Sequence, residues 1–323
     1  DIAFDYTLTN RTFTNVPVQR NYRTNIYGSL LTNTADFNVV IAPGFNDPDN
    51  NYEVLNAKGV SQLKDLLASG TDLSKKDVIV DLNGETMDSN IALNAHSVAV
   101  ENGTVDASQL SAKAEEGVTL RNVKLAGSFP KASSNARVIV ETAGDVVVDG
   151  LDYTGATDGY NPLEINLRNV VSKNITVKNC KFANFTNNAM SVFGMAEGGV
   201  LNIENNTFDL AKTSEAVRIS NKTNTKFTIN VKDCSYTYPS DATGQWVGFF
   251  LFEDYSSTAA EVNTAMQFKN LTINVDNVTF DGAKVTELNL FSGARNQFAC
   301  MCYDNLQGLI VTDATHFPTF TFK

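Results

Sequence analysis

The sequence predicts an all-β fold, a parallel β-helix of about nine coils preceded by a capping helix and a small N-terminal β-hairpin or sheet module. Three observations carry that reading. A strand–bend–strand phrase recurs along the chain, the bend residue comes only from Gly, Asn and Asp, and the residue before it alternates in charge.

The phrase reads apolar, x, apolar, charged, turn residue, x, x, apolar. Its clear copies are VTLRNVKL (118–125), VVVDGLDY (146–153), ITVKNCKF (175–182), LNIENNTF (201–208), INVKDCSY (229–236) and INVDNVTF (273–280). VAVENGTV (98–105) is looser, and VDLNGETM (80–87) and LIVTDATH (309–316) are the weaker ends. Stacked, they give a bend column of Gly84, Asn102, Asn122, Gly150, Asn179, Asn205, Asp233, Asn277 and Asp313. These residue types tolerate a left-handed backbone, which a one-residue bend between short strands requires. Their amide and carboxylate groups can also form a hydrogen-bonded ladder from coil to coil. The interval runs from 18 residues (Gly84 to Asn102) to 29 (Gly150 to Asn179), then reaches 44 (Asp233 to Asn277). One β-helix coil takes about 20–30 residues, so the longer intervals predict loops projecting from the later coils. AMSVFG (189–194), AVRIS (216–220), VGFFLF (247–252) and ELNLF (287–291) supply further strands between bends.

Before each bend stand Glu101, Arg121, Asp149, Lys178, Glu204, Lys232 and Asp276, alternating without a break. Adjacent coils lie about 4.8 Å apart. Opposite charges in register then help slightly, by about 0.2–1 kcal/mol per pair. This gives Arg121, Lys178 and Lys232 a structural role in place of a catalytic one.

Net charge is −11 over 323 residues, which argues against nucleic acid and anionic membrane surfaces as partners. No apolar run approaches the ~18 residues of a membrane span. Cys180 and Cys234 share one inward position, but the coil carrying Asn206 separates them. That places them about 9–10 Å apart, beyond the ~7 Å Cα limit of a disulfide, so both are predicted as free core thiols. Cys300 and Cys302 point the same way along one extended segment and are poorly placed to bond each other.

A β-helix needs covered ends. GVSQLKDLLASG (59–70) reads as an amphipathic cap, with Ser61 as N-cap, a stripe of Leu63, Leu66 and Leu67, and Gly70 as terminator. Before it, IAFDYTL (2–8) and VQRNYRTNIYGSLL (18–31) alternate as strands. The second is predicted to pair with FNVVIA (37–42), and PGFNDPDNN (43–51) links this module to the rest. The domain reading is therefore 1–53 for the β module and linker, and 54–323 for the β-helix with its cap.

VPVQRNYRTNIYGSLLT followed by FNVVIAPGFN is similar to the closing strands of fimbrillin-like domains of Bacteroidetes surface proteins, over about residues 14–46. The remainder resembles a right-handed parallel β-helix of the pectate-lyase type. The resemblance implies a cell-adhesion protein, exported and lipid-anchored at the cell surface or outer membrane. Its leader and an upstream module would lie outside this chain. It brings no catalytic residues with it.

The hydrolase motifs of that fold (NTD, DD, HG and RIK types) are absent. Arg137, Arg168, Arg218 and Arg295 are scattered, and Glu141, Glu164 and Glu215 are no denser than composition predicts. His96 and His316 read as structural, and Asp304 and Asp313 offer no metal cluster. No catalytic residue, cofactor or metal is expected. The binding candidates are Tyr238, Trp246 and Tyr255, the sole Trp with two flanking Tyr in the longest inter-bend interval. The alternative for this stretch is a strand buried under a covering loop. The expectation is a non-catalytic adhesion or glycan-binding protein, its partner a polysaccharide or a host or bacterial surface protein. A polysaccharide lyase or glycoside hydrolase is the alternative, and a structural stalk the next.

Overall fold

A computed structural model describes residues 2–6, 9–13, 22–27, 38–43, 52–129, 136–157, 159–166, 170–221, 225–254, 268–287, 295–304, 309–311 and 317–323. The chain divides into two compact units, Asp1–Tyr52 and Glu53–Lys323. In the first, Ile2–Tyr6 pairs antiparallel with Thr9–Phe13, and Tyr22–Tyr27 with Asn38–Pro43. The second pairing joins the two strands expected to form a hairpin, in the register Tyr22 to Pro43 and Tyr27 to Asn38.

The second unit is all-β apart from one helix and a single 3₁₀ turn among the described residues, and its long-range pairing is mostly parallel. The strands stack in three sheets, A, B and C, each gaining one parallel rung per pass of the chain. Sheet A runs from Glu53–Lys58 and Lys76–Asp81 through Asp145–Asp149, Ser172–Lys178, Met195–Glu204 and Thr228–Lys232 to Thr272–Asp276 and Thr319–Phe322. Sheet B follows the bend, with Asp152–Thr157, Lys181–Phe182, Thr207–Asp209, Ser235–Thr237 and Thr279–Phe280. Sheet C precedes sheet A in each pass, with Val138–Thr142, Leu163–Ile165, Asn188–Val192, Glu215–Asn221, Gly248–Asp254 and Ala299–Asp304. Two long strands, Ile91–Asp106 and Leu110–Ser128, pass through all three.

Alternation in sheet A turns one β-branched or leucine pair per pass inward. Val98 and Val100, Val118 and Leu120, Val146 and Val148, Ile175 and Val177, and Leu201 and Ile203 are all essentially inaccessible to solvent. Such residues fit a pleated, packed surface, and each buried side chain contributes about 1.5–3 kcal/mol. Toward the C-terminal end the filling becomes aromatic. Phe182 stacks on Phe208 at 5.3 Å, and Phe249 on Phe298 at 5.0 Å.

The bend between sheets A and B is left-handed in every described copy. φ is +79° at Gly84, +58° at Asn102, +50° at Asn122, +75° at Gly150, +57° at Asn179, +52° at Asn205, +54° at Asp233 and +51° at Asn277. The bend N–H donates to the carbonyl before the next bend, as from Asn179 to Glu204 at 3.0 Å and from Asn205 to Lys232 at 2.9 Å. The side chains form polarised ladders, each amide donating to the pass before. Asn122 donates to Asn102 at 3.2 Å and Asn102 to Asp81 at 3.3 Å. Gly150 has no side chain, and the run restarts: Asn179 donates to Asp149 at 2.6 Å and Asn205 to Asn179 at 2.7 Å. Asp233 cannot donate when ionised, and it accepts from Asn277 at 2.7 Å. The charge column lies in register beside this ladder, and Lys178 reaches Asp149 at 3.4 Å.

Cys180 and Cys234 are free and buried, and burial pushes both thiols up to about 12. Asn206, between them, is buried and satisfied by main chain: it accepts from Cys180 N at 2.8 Å and donates to Val177 O at 2.9 Å. The side chains of Cys300 and Cys302 lie outside the described residues.

The helix spans Gly59–Ala68, with Leu63 fully buried and Val60, Leu66 and Leu67 packed on the core. Gly70, at φ +66°, follows its end. Ser61 is not its N-cap. Lys58 occupies that position without a side-chain bond, and Glu85, from the following pass, accepts from the Val60 N–H at 2.8 Å. A carboxylate brought in by the stack thus does the work expected of a local hydroxyl.

The C-terminal end also departs from the repeat. Leu309–Val311 does not add a rung to sheet A; it pairs antiparallel with Cys302–Asp304. Thr279–Phe280 turns back on Ala283–Lys284 through Asp281 and Gly282, both left-handed. Antiparallel folding-back occupies strand edges that another parallel pass would leave open. Asp313 and ELNLF beyond Glu287 lie outside the described residues.

Replacing Asn205 by Val puts a β-branched residue in the left-handed region and removes the rung to Asn179. Urea denaturation is expected to show a loss of about 1–3 kcal/mol. Asn205→Gly keeps the conformation and should lose clearly less. Equal losses would show that the bend is not what matters.

Candidate functional site

Sheet C carries an unusually polar set of buried side chains. In register across successive passes stand Asn188, Glu215 and Gly248; then Ser191, Arg218 and Leu251; then Ser220 and Glu253. All are buried except Arg218, which is half-buried. Parallel stacking therefore gathers carboxylates far apart in sequence, Glu164, Glu215 and Glu253, about one network.

The network is continuous. Asn161 donates to Glu164 at 2.8 Å, and Asn187 donates to Asn161 at 2.9 Å and to Asn188 at 3.0 Å. Asn188 donates in turn to Glu215 Oε2 at 2.6 Å. Arg218 reaches Asn188 Oδ1 at 3.4 Å, and it ion-pairs with Glu253 through Nε and Nη2. Phe193 lies over the guanidinium at 5.9 Å.

Glu215, unlike Glu253 and Glu164, lines a cavity. It is 1% exposed, and its Oε1 has no hydrogen-bond partner. Burial pushes its carboxyl up to about 8, against the pull of Arg218 and of the Asn188 bond, and Glu253 adds to the rise. At neutral pH this group holds its proton.

Glu215 and Arg218 line a cavity of about 380 Å³, with Tyr160, Asn187, Thr213 and Trp246 also in its wall. That volume lies within the ~300–1,000 Å³ of small-molecule pockets. Trp246 is half-buried and sits in a turn fastened at its base. Gly248 N donates to the Tyr238 hydroxyl at 2.7 Å, and that hydroxyl also bonds the Ser214 carbonyl. Ala242 N closes the turn on Pro239 O at 3.0 Å.

Of the three aromatic candidates, Trp246 lines the cavity. Tyr238 does not present a face to a ligand: it is 5% exposed and packs edge-on against Tyr236 at 6.4 Å. Its hydroxyl fastens the turn that carries Trp246. Tyr255 lies outside the described residues. The strand Gly248–Asp254 is buried through Glu253, as its apolar FFLF core allows.

The scattered arginines separate by role. Arg137 is fully buried, donating to the carbonyls of Ser108 (3.2 Å), Gly127 (3.1 Å) and Val105 (3.2 Å) with Tyr153 beside it, and is structural. Arg295 pairs with Asp281, Glu141 pairs with Lys113 at 2.8 Å, and Arg168 is outside the described residues. His96 Nδ1 lies 2.8 Å from Asp77 in a local cluster with Ser97; His316 is outside the described residues. Among the described residues no three His, Cys, Asp or Glu side chains form a metal-ligand group.

Sequence reasoning missed the gathering of Glu164, Glu215, Arg218 and Glu253. The signal was present but unstacked, because Asn188 and Glu215 immediately precede AMSV and AVRIS, two recognisable strands of one sheet.

Residues 5–83 are similar to a family described as a family of unknown function (DUF6562). No curated protein and no solved structure matches the chain. No helix among the described residues is long and apolar enough to cross a membrane.

Glu215 makes stability depend on pH. Unfolded, it titrates near its ordinary 4.5; folded, near 8. The folded chain binds that proton more tightly, so its contribution is complete below about 4.5 and is lost as pH rises through 8. Against Glu215→Gln, the wild type should lose stability across that window by up to about 1.4 kcal/mol per pH unit. Parallel stability–pH curves for the two proteins would contradict this.

Proposed function

We propose that the 53–323 unit is a right-handed parallel β-helix of about nine coils that binds carbohydrate without turning it over. We further propose that the whole chain serves as an adhesion protein at the cell surface. One observation carries the binding reading: the sheet C cavity joins an indole and a phenol to amide, hydroxyl and guanidinium groups fixed by a buried network. A sugar ring offers an apolar C–H face and a rim of hydroxyls. The aromatic walls suit the first and the polar groups the second. The surface placement, lipid anchor and fimbrillin-like character of the first unit rest on the resemblance over residues 14–46. They stand as part of the same proposal.

A glycoside hydrolase is the second reading, and the network gives it one specific support. Glu215 retains its proton while Glu253, beside it, is paired with Arg218, and acid hydrolysis needs two carboxyls in different environments. The binding reading is preferred because Glu253 is fully buried and tied to Arg218, not turned to the cavity as a base or nucleophile must be.

Trp246→Ala is expected to weaken binding to immobilised glycans by about tenfold or more while leaving the melting temperature within a few degrees. Incubation with the same polysaccharides should release no new reducing ends and no unsaturated products. Turnover abolished by Glu215→Gln would replace the binding reading with the hydrolase.

A further inference from the structure

Glu215 is the one lining residue whose chemistry the general binding reading does not use. It is buried within the cavity wall, Asn188 donates to its Oε2 at 2.6 Å, and its Oε1 has no partner. An oxygen that accepts from an amide behaves as the carbonyl of a carboxylic acid. The remaining oxygen is then the hydroxyl, and it is the unsatisfied one. A buried donor without an acceptor costs about 1–3 kcal/mol, and a ligand oxygen in the cavity removes that cost.

We infer that the cavity selects uncharged saccharides over acidic ones, and that Glu215, kept as the neutral acid, donates from Oε1 to a ligand hydroxyl. This rests on the carbohydrate-binding reading of the cavity and adds its ligand class and the residue that sets it.

The charges around the site favour this assignment. Arg218, on the same strand, is the only cation among the described lining residues, and it is already paired with Glu253 of the next pass. Glu164, from the strand two passes earlier, joins through Asn161 and Asn187. Tyr160 completes the titratable groups in the wall, and Lys212, near the turn at 211–214, is paired with Asp241. A uronate carboxylate entering here would find, among the described lining residues, no cation that is not already paired. Ionising Glu215 would remove the donor and place a negative charge in a buried wall, so binding must fall when that group loses its proton.

The test is calorimetric titration of the full chain with neutral tetrasaccharides (xylo-, cello- and mannotetraose) and with tetragalacturonate, at pH 6 and pH 9. For the wild type, a neutral tetrasaccharide should bind at pH 6 and weaken about tenfold or more at pH 9, with tetragalacturonate weaker than the neutral ligand at both. Glu215→Gln replaces the acid by an amide that still donates, and should bind at both pH values with the pH dependence gone. Glu215→Ala should be weak at both. Carbon-13 NMR of the labelled Glu215 carboxyl reads protonation without any ligand, and its midpoint should lie near 8. Preferential binding of tetragalacturonate, equal neutral affinity at the two pH values, pH dependence that survives in Glu215→Gln, or a midpoint near 4.5 would each overturn the inference while leaving carbohydrate binding intact. Binding of neither ligand class would overturn both.

Discussion

The left-handed bend between sheets A and B is the constraint on which the rest depends. One residue per pass turns the chain, and its N–H donates to the pass that follows. That single bond sets the register of the strand before the bend and of the strand after it. Register then decides which side chains point inward, because a one-residue slip would exchange the two faces. The valine and isoleucine columns of sheet A, the charge column beside the bend and the polar face of sheet C all follow from the same alignment.

The bend also restricts which residue types can occupy it. A residue with φ near +50° must be Gly, Asn or Asp to avoid strain, and the choice among them changes the ladder. Asn both donates and accepts, so it passes a hydrogen bond along. Gly150 breaks the run, and its vacancy is filled sideways, with Asn179 turning to Asp149. Asp233 ends one run and begins another because a carboxylate only accepts. Gly150 lies within 2.9 Å of Asn122 Oδ1 at the point where a Cβ would stand, so its small size is also a packing demand.

This explains which parts of the structure were legible in the sequence. Bend residues and inward valines are dictated locally, so one pass can be recognised from eight residues. Cys180 and Cys234 followed, because their separation is a matter of counting passes. What could not be read is what several passes build together. Ser61 had the right chemistry for a helix cap, but Glu85 arrives from the next pass to do that work. Tyr238 had the composition of a ligand-binding aromatic, yet its hydroxyl closes the turn behind Trp246. The network from Glu164 to Glu253 spans ninety residues of sequence, with each member a plain polar residue in its own pass. Only parallel stacking, with intervals of unequal length, brings them within hydrogen-bond reach. The N-terminal unit was legible as a hairpin through alternation, and the C-terminal fold-back was not, since a strand carries no mark of parallel or antiparallel pairing.

The central claim is that a polar face built from successive passes of sheet C forms a cavity for a neutral sugar, with Glu215 as donor. Its most direct test is a crystal structure at pH 6 after soaking with the neutral tetrasaccharide mixture. The account predicts a pyranose ring against Trp246 and a ligand hydroxyl within hydrogen-bond distance of Glu215 Oε1. An empty cavity with sugar bound elsewhere on the stack, or a ring whose nearest polar contact is Arg218 released from Glu253, would contradict it.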